Sequence, residues 1–392
     1  MLKVSQVLKF LVLTGFLISA LFVGTASSAF AQLDYTTKAR FAILMDSASK
    51  TVLFQSHADE AMEPASMAKL MTLAVVFSYL KTGRLELTDE FFISEKAWRE
   101  GGASSGGSTM FAELNSKISV DNLIHSVIIQ SGNDASIALA EGIAGSEETF
   151  ALIMNETAED IGLKNSHFTN ATGLPDPAMY TTARDLALVA NYIIQEYPQY
   201  YPIFSIPEFE WNGIKQSNRN VLLDDGIGVD GMKTGHTQSA GYGIVISTTE
   251  GGRRLVAVLH GLESSRERAE EARKLITWGS RAFEQVPAFE QGETIGYANV
   301  YGGEDAQVPL VAEGALRLYL PRGGRKCLAG KIVYQSPVMP PVLQGDELAE
   351  LRIYCNDQLI QSAPLFAGND VGEGSLVRKA SDALKELLLG WL

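Results

Sequence analysis

A serine and a lysine three positions apart, Ser66 and Lys69, are followed by a second serine, Ser131, and a second lysine, Lys233. Such a set suits attack on a carbonyl. A serine oxygen must lose its proton as it attacks, and a lysine amine can take that proton only when neutral, a state favoured by burial and by a neighbouring cation such as Lys233. Ser131 can pass a proton to a leaving amine, and Asn133 can hold a substrate amide. Lys233 and Thr234 can present donors to a terminal carboxylate, Gly235 leaves room for close approach, and the backbone N–H groups of Ser66 and His236 can cradle a developing oxyanion.

The elements that would carry these residues are legible in the pattern. Pro64 fits the first turn of a helix. Leu70, Leu73, Ala74, Phe77 and Leu80 recur behind it at helical steps, so Ser66 and Lys69 share one face a turn apart. Ser47-x-x-Lys50 and Ser78-x-x-Lys81 repeat the spacing. The first falls in a turn between two short strands, and the second ends the Ser66 helix at Gly83. Ser131-Gly132-Asn133 sits in a turn between helices, and Lys233-Thr234-Gly235-His236 closes a strand run. An edge strand there can pair with an extended peptide. The run Gly101–Ser108, rich in glycine and serine, is either a loop bordering the site or a surface excursion. Thr182 to Asp185 reads as a capping box, which assigns Arg184 and Asp185 to structure.

The chain has 392 residues, 46% hydrophobic and 20% charged, with a formal net charge of −14. That composition is globular and argues against general nucleic-acid binding. Lys3 and Lys9 precede an apolar run, Phe10–Val23, and Ala29-Phe30-Ala31 fits a small-x-small cleavage site. Residues 1–31 therefore read as a cleaved export signal, with an uncleaved membrane anchor as the alternative. Losing Lys3 and Lys9 takes the charge from −14 to −16. Cys327 and Cys355 are the two cysteines, either paired between neighbouring strands or left as buried thiols. The five histidines show no metal-ligand spacing, and no cofactor is implied.

The periodicities predict an α+β fold: an antiparallel sheet flanked by helices over 32–286, with helices between an early hairpin and a later meander that ends in a helix Ser265–Phe283. A small all-β domain is expected over 287–371. Glycines 368, 372 and 374 read as a linker to an amphipathic helix at 375–392, too short and charged to span a bilayer. That helix would lie on a membrane surface, or else face a core.

The order of the three motifs resembles that of active-serine β-lactamases and penicillin-binding proteins. Longer runs narrow the likeness: Gln130–Ala135, Gly162–Phe168, Thr182–Leu186 and Val229–Thr237. Through them nearly the whole chain resembles the low-molecular-mass penicillin-binding proteins that are serine-type D-alanyl-D-alanine carboxypeptidases. The resemblance implies a transpeptidase-like domain in which Ser66 is acylated by the penultimate D-alanine of a peptidoglycan stem peptide, or by a β-lactam. It implies Lys69 as base, Ser131 as relay, and Lys233 with Thr234 as the carboxylate site, helped by Arg219. It also implies location on the periplasmic face of a bacterial inner membrane, held peripherally. An endopeptidase, a β-lactamase and a non-enzymatic wall-binding protein remain as alternatives.

Overall fold

The structure is a computed structural model that describes residues 35–250, 252–321, 328–355 and 358–389. The export signal read at residues 1–31 and Cys327 lie outside the described residues. From Thr37 onward the chain forms one unit.

The central strand β1, Phe41–Asp46, is buried at every position. A strand covered on both faces needs an unbroken apolar run rather than alternation, and Phe41 to Met45 supply it. A turn through Ser47–Lys50 leads to β2, Val52–Ser56. A single 3-10 turn, Ala65–Ala68, then opens α1, Lys69–Lys81. The spacing predicts one buried face for this helix, but ten of its residues from Lys69 to Leu80 are buried. It is a core helix, apolar all round, because sheet and helices enclose it.

A hairpin of β3, Glu90–Phe92, and β4, Lys117–Ser119, precedes the short helix α2, Val120–His125. Helices α3, Asn133–Ala144, α4, Glu147–Ile161, and α5, Ala183–Glu196, follow. Ser146 caps α4, and Thr182 caps α5 by accepting from the Asp185 N–H. Arg184 is structural as expected. Its guanidinium binds Asp59 at 2.6 Å and reaches Gln55.

The hairpin β5, Glu208–Trp211, with β6, Ile214–Ser217, leads to the meander β7, Val229–Thr237, β8, Gly241–Glu250, and β9, Arg253–Leu262. All pairings are antiparallel, and the order β7-β8-β9-β1-β2 leaves β7 at the edge. Helix α6, Ser265–Arg281, lays Ala272, Leu275, Ile276 and Gly279 against this sheet. A Cβ on Gly279 would stand 2.4 Å from Leu44 Cδ2, so a side chain there would have to displace Leu44 at the helix–strand contact.

Helix α6 stops at Arg281, two residues before the expected Phe283, because Phe283–Phe289 forms a strand, β10. The remaining strands are β11, Gly296–Asn299, β12, Gln307–Val311, β13, Leu316–Pro321, β14, Leu328–Tyr334, β15, Glu347–Cys355, and β16, Gln358–Ala367. β10 pairs with β13, and Pro287 is tolerated in this two-stranded ribbon, where a missing N–H costs no central ladder bond. A second apolar core, including Val308, Leu310, Leu351 and Leu365, is separate from the one around α1. The two β systems meet where Ser362 pairs with Val52. Lys50 bonds Glu313 at 2.6 Å, and the Tyr319 hydroxyl donates to buried Asp46.

The terminal helix α7, Leu376–Leu389, does not hang from a loose tether. Val371 pairs with Val342, and the Gly374 N–H donates to Gly302 at 2.9 Å. A Cβ on Gly374 would stand 2.4 Å from the Gly303 oxygen. This glycine serves close backbone approach rather than flexibility. No helix among the described residues is long and apolar enough to cross a membrane.

Candidate active site

Three segments distant in sequence converge at the edge of the sheet. Ser66, half-buried, stands on the 3-10 turn, and Ala65 before it takes a positive φ of 48°. Gly173 fixes that turn from below. Its φ is +74°, and a Cβ there would lie 1.9 Å from the Ala65 oxygen. Ser131 ends a π-turn at φ 65°. A side chain at Gly132 would strike Ser126 Oγ at 2.2 Å. On β7, a Cβ at Gly235 would come within 3.1 Å of Met67 and the Pro64 oxygen, so the strand lies directly against the serine turn. Two of the residues flanking the chemistry thus hold sparsely populated backbone conformations, a condition that concentrates at functional sites.

The Lys69 amine is fully buried and has three neighbours. It lies 3.1 Å from Ser66 Oγ, donates to Asn133 Oδ1 at 2.8 Å, and donates to the Thr172 carbonyl. The last two are acceptors only. A neutral amine has two N–H bonds and one lone pair, so those acceptors take both hydrogens and the lone pair is left for the serine proton. Burial pushes the Lys69 amine down to about 7, against the opposing charges of Glu147 and Asp134. Burial is thus the cause that lowers it, and the charges that act on it are carboxylates rather than the cation expected at Lys233. The Lys233 amine is also driven well down, first by burial and then by Lys69, Arg219 and Arg268. It donates to Ser131 Oγ at 2.8 Å and approaches the Thr234 carbonyl at 3.3 Å.

Ser66, Ser131, Thr234, Gly235 and His236 line one cleft of about 280 Å³, together with Ser108, Arg219, Tyr242, Ser265 and Arg268. The sequence-derived residues are therefore brought together: Lys69, Asn133 and Lys233 reach the same centre through their hydrogen bonds. The exposed Arg219 is held between buried Asn218 and Asn220, whose amides bond the backbone at Ile206 and Gly231. His236 stacks on Tyr242 at 3.9 Å. The Gly101–Ser108 run does border the site. The Ser108 carbonyl accepts from the Asn133 N–H at 2.8 Å, and a Cβ at Gly107 would crowd Asn133 Nδ2 at 2.9 Å.

Sequence reasoning missed four contributors. Arg268 reads as an outer-face residue of a charged helix, yet it lines the cleft and lies over Tyr242 at 5.7 Å. Thr172 acts through its carbonyl, which side-chain identity cannot reveal. Glu147 is buried, accepts from the Ala171 N–H at 3.0 Å and pairs with Lys96 at 3.1 Å, so it holds the loop that carries the Thr172 carbonyl. Asp134, fully buried, accepts from Thr109 Oγ1 at 2.6 Å and from the Met110 and Ala112 N–H groups, tying the glycine–serine segment to α3. The Ser-Gly-Asn-Asp run already contained Asp134, and its place at a helix start was the available signal. Among the described residues no cluster of three or more His, Cys, Asp or Glu is arranged around a common point for a metal ion.

The chain is similar to known proteins. A family model described as Peptidase S11, D-alanyl-D-alanine carboxypeptidase, matches residues 26–264, and one described as penicillin-binding protein 5, C-terminal domain, matches residues 283–373. The D-alanyl-D-alanine carboxypeptidase DacC of Escherichia coli is 40% identical over 347 residues, covering 88% of this chain and 87% of that protein. The crystal structure of penicillin-binding protein 5 from Haemophilus influenzae superposes with a TM-score of 0.69 at 38% identity, covering 86% of this chain and 99% of that one. Penicillin-binding protein D2 of Listeria monocytogenes in its ampicillin-bound form matches with a TM-score of 0.56 at 25% identity, over 64% of this chain and all of that one.

Proposed function

The chain belongs to the Peptidase S11 family of D-alanyl-D-alanine carboxypeptidases, and from that membership we propose how its residues divide the work of the reaction. The enzyme is a serine peptidase that removes the terminal D-alanine of peptidoglycan stem peptides and is acylated by β-lactams. Lys233, Thr234, Arg219 and Arg268 hold the terminal carboxylate, and Asn133 Nδ2 holds a substrate amide. The backbone N–H groups of Ser66 and His236 receive the carbonyl oxygen as it becomes an oxyanion.

Ser66 Oγ attacks that carbonyl while its proton passes to the neutral Lys69 amine. The tetrahedral adduct then breaks its bond to the D-alanine nitrogen. Ser131, bonded to Lys233, delivers the proton that the departing amine needs and is reprotonated by the proton held on Lys69, which returns to its neutral form. Water then attacks the resulting ester, Lys69 takes the water's proton and passes it to Ser66 Oγ as the ester bond breaks, and both residues are restored. The observation that carries this assignment is the Lys69 amine. Two of its hydrogen-bonding positions face acceptor-only oxygens and the third faces Ser66 at 3.1 Å. The test is D-alanine release from a stem pentapeptide. Ser66→Ala lowers it by at least about 1,000-fold, and a variant with wild-type release would remove Ser66 as the nucleophile.

The same reading assigns residues 1–31 to export, 32–286 to the catalytic domain, 287–371 to the β-rich domain and 375–392 to a membrane-lying helix. It puts the enzyme on the periplasmic face of the inner membrane. The exposure of Leu376 (85%) and Val377 (80%) at the start of α7 supports the last assignment.

A further inference from the structure

Two carboxylates act on the Lys69 amine, Glu147 on α4 and Asp134 on α3, and one segment of chain holds both. It runs from Lys96 to Ala112 along the border of the cleft. It opens with a turn of π-helix, Ala97–Gly101, flanked by Lys96. A Cβ on Gly101 would stand 2.3 Å from the Asp134 nitrogen, so the segment lies against the start of α3. Further along, Thr109 Oγ1 donates to the Asp134 carboxylate at 2.6 Å, and the Met110 and Ala112 N–H groups donate to it at 3.0 and 3.1 Å. Asp134 is met by dipoles, and no ion pair among the described residues includes it.

Glu147 is held differently. Its Oε1 accepts from the Ala171 N–H at 3.0 Å, next to the Thr172 carbonyl that takes a hydrogen from Lys69. Its Oε2 lies 3.1 Å from the Lys96 amine. Glu147 is 7% exposed, and a carboxylate buried that far keeps its charge at a heavy desolvation cost unless a cation stands beside it. Lys96 supplies that cation. The same amine bonds Glu148 at 3.0 Å, but the Glu148 side chain is 76% exposed and well solvated. Burial lowers the Lys96 amine, yet its hydrogen bonds to Glu148 and Glu147 outweigh that and raise it above the ordinary lysine value. It therefore stays charged wherever the enzyme works. The other amine at the site, Lys233 on β7 with Arg219 and Arg268 acting on it, is itself driven well down and adds little charge.

We propose that Lys96 is a positioning residue for the reaction: its ammonium balances Glu147 and fastens the cleft-bordering segment to α4, which keeps Lys69 in the form that accepts the serine proton. The proposal rests on the reading of Lys69 as the base and adds the group that tunes it from outside the cleft. The experiment follows the rate of acylation by a fluorescent penicillin against pH. The wild-type rate falls on the acid side with a midpoint near pH 7. Lys96→Gln keeps a hydrogen-bond donor beside Glu147 and removes the charge. Glu147 then favours the Lys69 ammonium unopposed, so the midpoint moves up by about half a pH unit. Lys96→Arg keeps the cation and leaves the midpoint in place. In the Lys96→Gln/Glu147→Gln double variant there is no carboxylate left to balance, and the midpoint coincides with that of Glu147→Gln alone. A midpoint in Lys96→Gln at or below the wild-type position would overturn the proposal. So would a Lys96→Arg midpoint displaced as far as that of Lys96→Gln, or a double variant that stays above Glu147→Gln. Should Lys96→Gln fail to fold, Lys96→Met decides by the same criterion. A wild-type rate that is flat across this range would instead overturn the reading of Lys69 as base, and this proposal with it.

Discussion

Lys69 shows how a buried cation site is turned into a base. Desolvation disfavours the ammonium, and carboxylates within reach restore part of its stability. The balance here sets the amine at about 7, close to the pH at which it must accept a proton. Glu147 is one of the two opposing charges, and it also anchors the Ala171 N–H beside the Thr172 carbonyl. Its replacement by Gln keeps the shape and removes the charge, so the Lys69 amine falls further. The sign follows from the base being the neutral form: the acid limb of the kcat/KM–pH profile moves to lower pH in Glu147→Gln. A limb that stays in place or moves up would show that Glu147 acts on packing alone.

At the scale of elements, the site depends on backbones that approach more closely than side chains allow. Gly173 under the serine turn and Gly235 on β7 mark two such contacts, and Gly132 marks a third against Ser126. The helix start at Ser66, the turn at Ser131 and the strand at Lys233 were legible from proline placement, apolar period and glycine context. Their convergence was not, because it depends on pairings such as β1 with β9 and on α1 being enclosed on all sides. Residues whose function lies in a carbonyl, like Thr172, or in a helix face turned back toward the sheet edge, like Arg268, leave no side-chain signature in one sequence. The start of β10, Phe283, reads as the end of a helix because the charged helical period of α6 runs to Arg281 and no glycine follows it.

At the scale of the molecule, the β-rich part is coupled to the catalytic sheet through Ser362 with Val52 and through the Tyr319–Asp46 hydrogen bond. Its far end carries α7, which is fastened rather than tethered: Gly302 donates to Asp382 at 3.1 Å, and Lys379 pairs with Glu373 at 2.8 Å. A helix held in this way would fix the orientation of the body above a membrane as well as its attachment. Truncation before Ser375 is expected to move the protein from the membrane pellet to the supernatant in a sedimentation assay with phospholipid vesicles. D-alanine release from a soluble peptide should stay within about twofold, since the cleft is built from other elements. Continued sedimentation with vesicles would remove α7 as the anchor.

The central claim is that neutral Lys69 deprotonates Ser66, and the rate of acylation by a penicillin as a function of pH tests it most directly. The wild-type rate should rise through an apparent pKa near 7, and Lys69→Ala should be slower by about 100-fold or more. A wild-type rate that is flat between about pH 6 and 8, or a Lys69→Ala variant acylated at a near-normal rate, would contradict it.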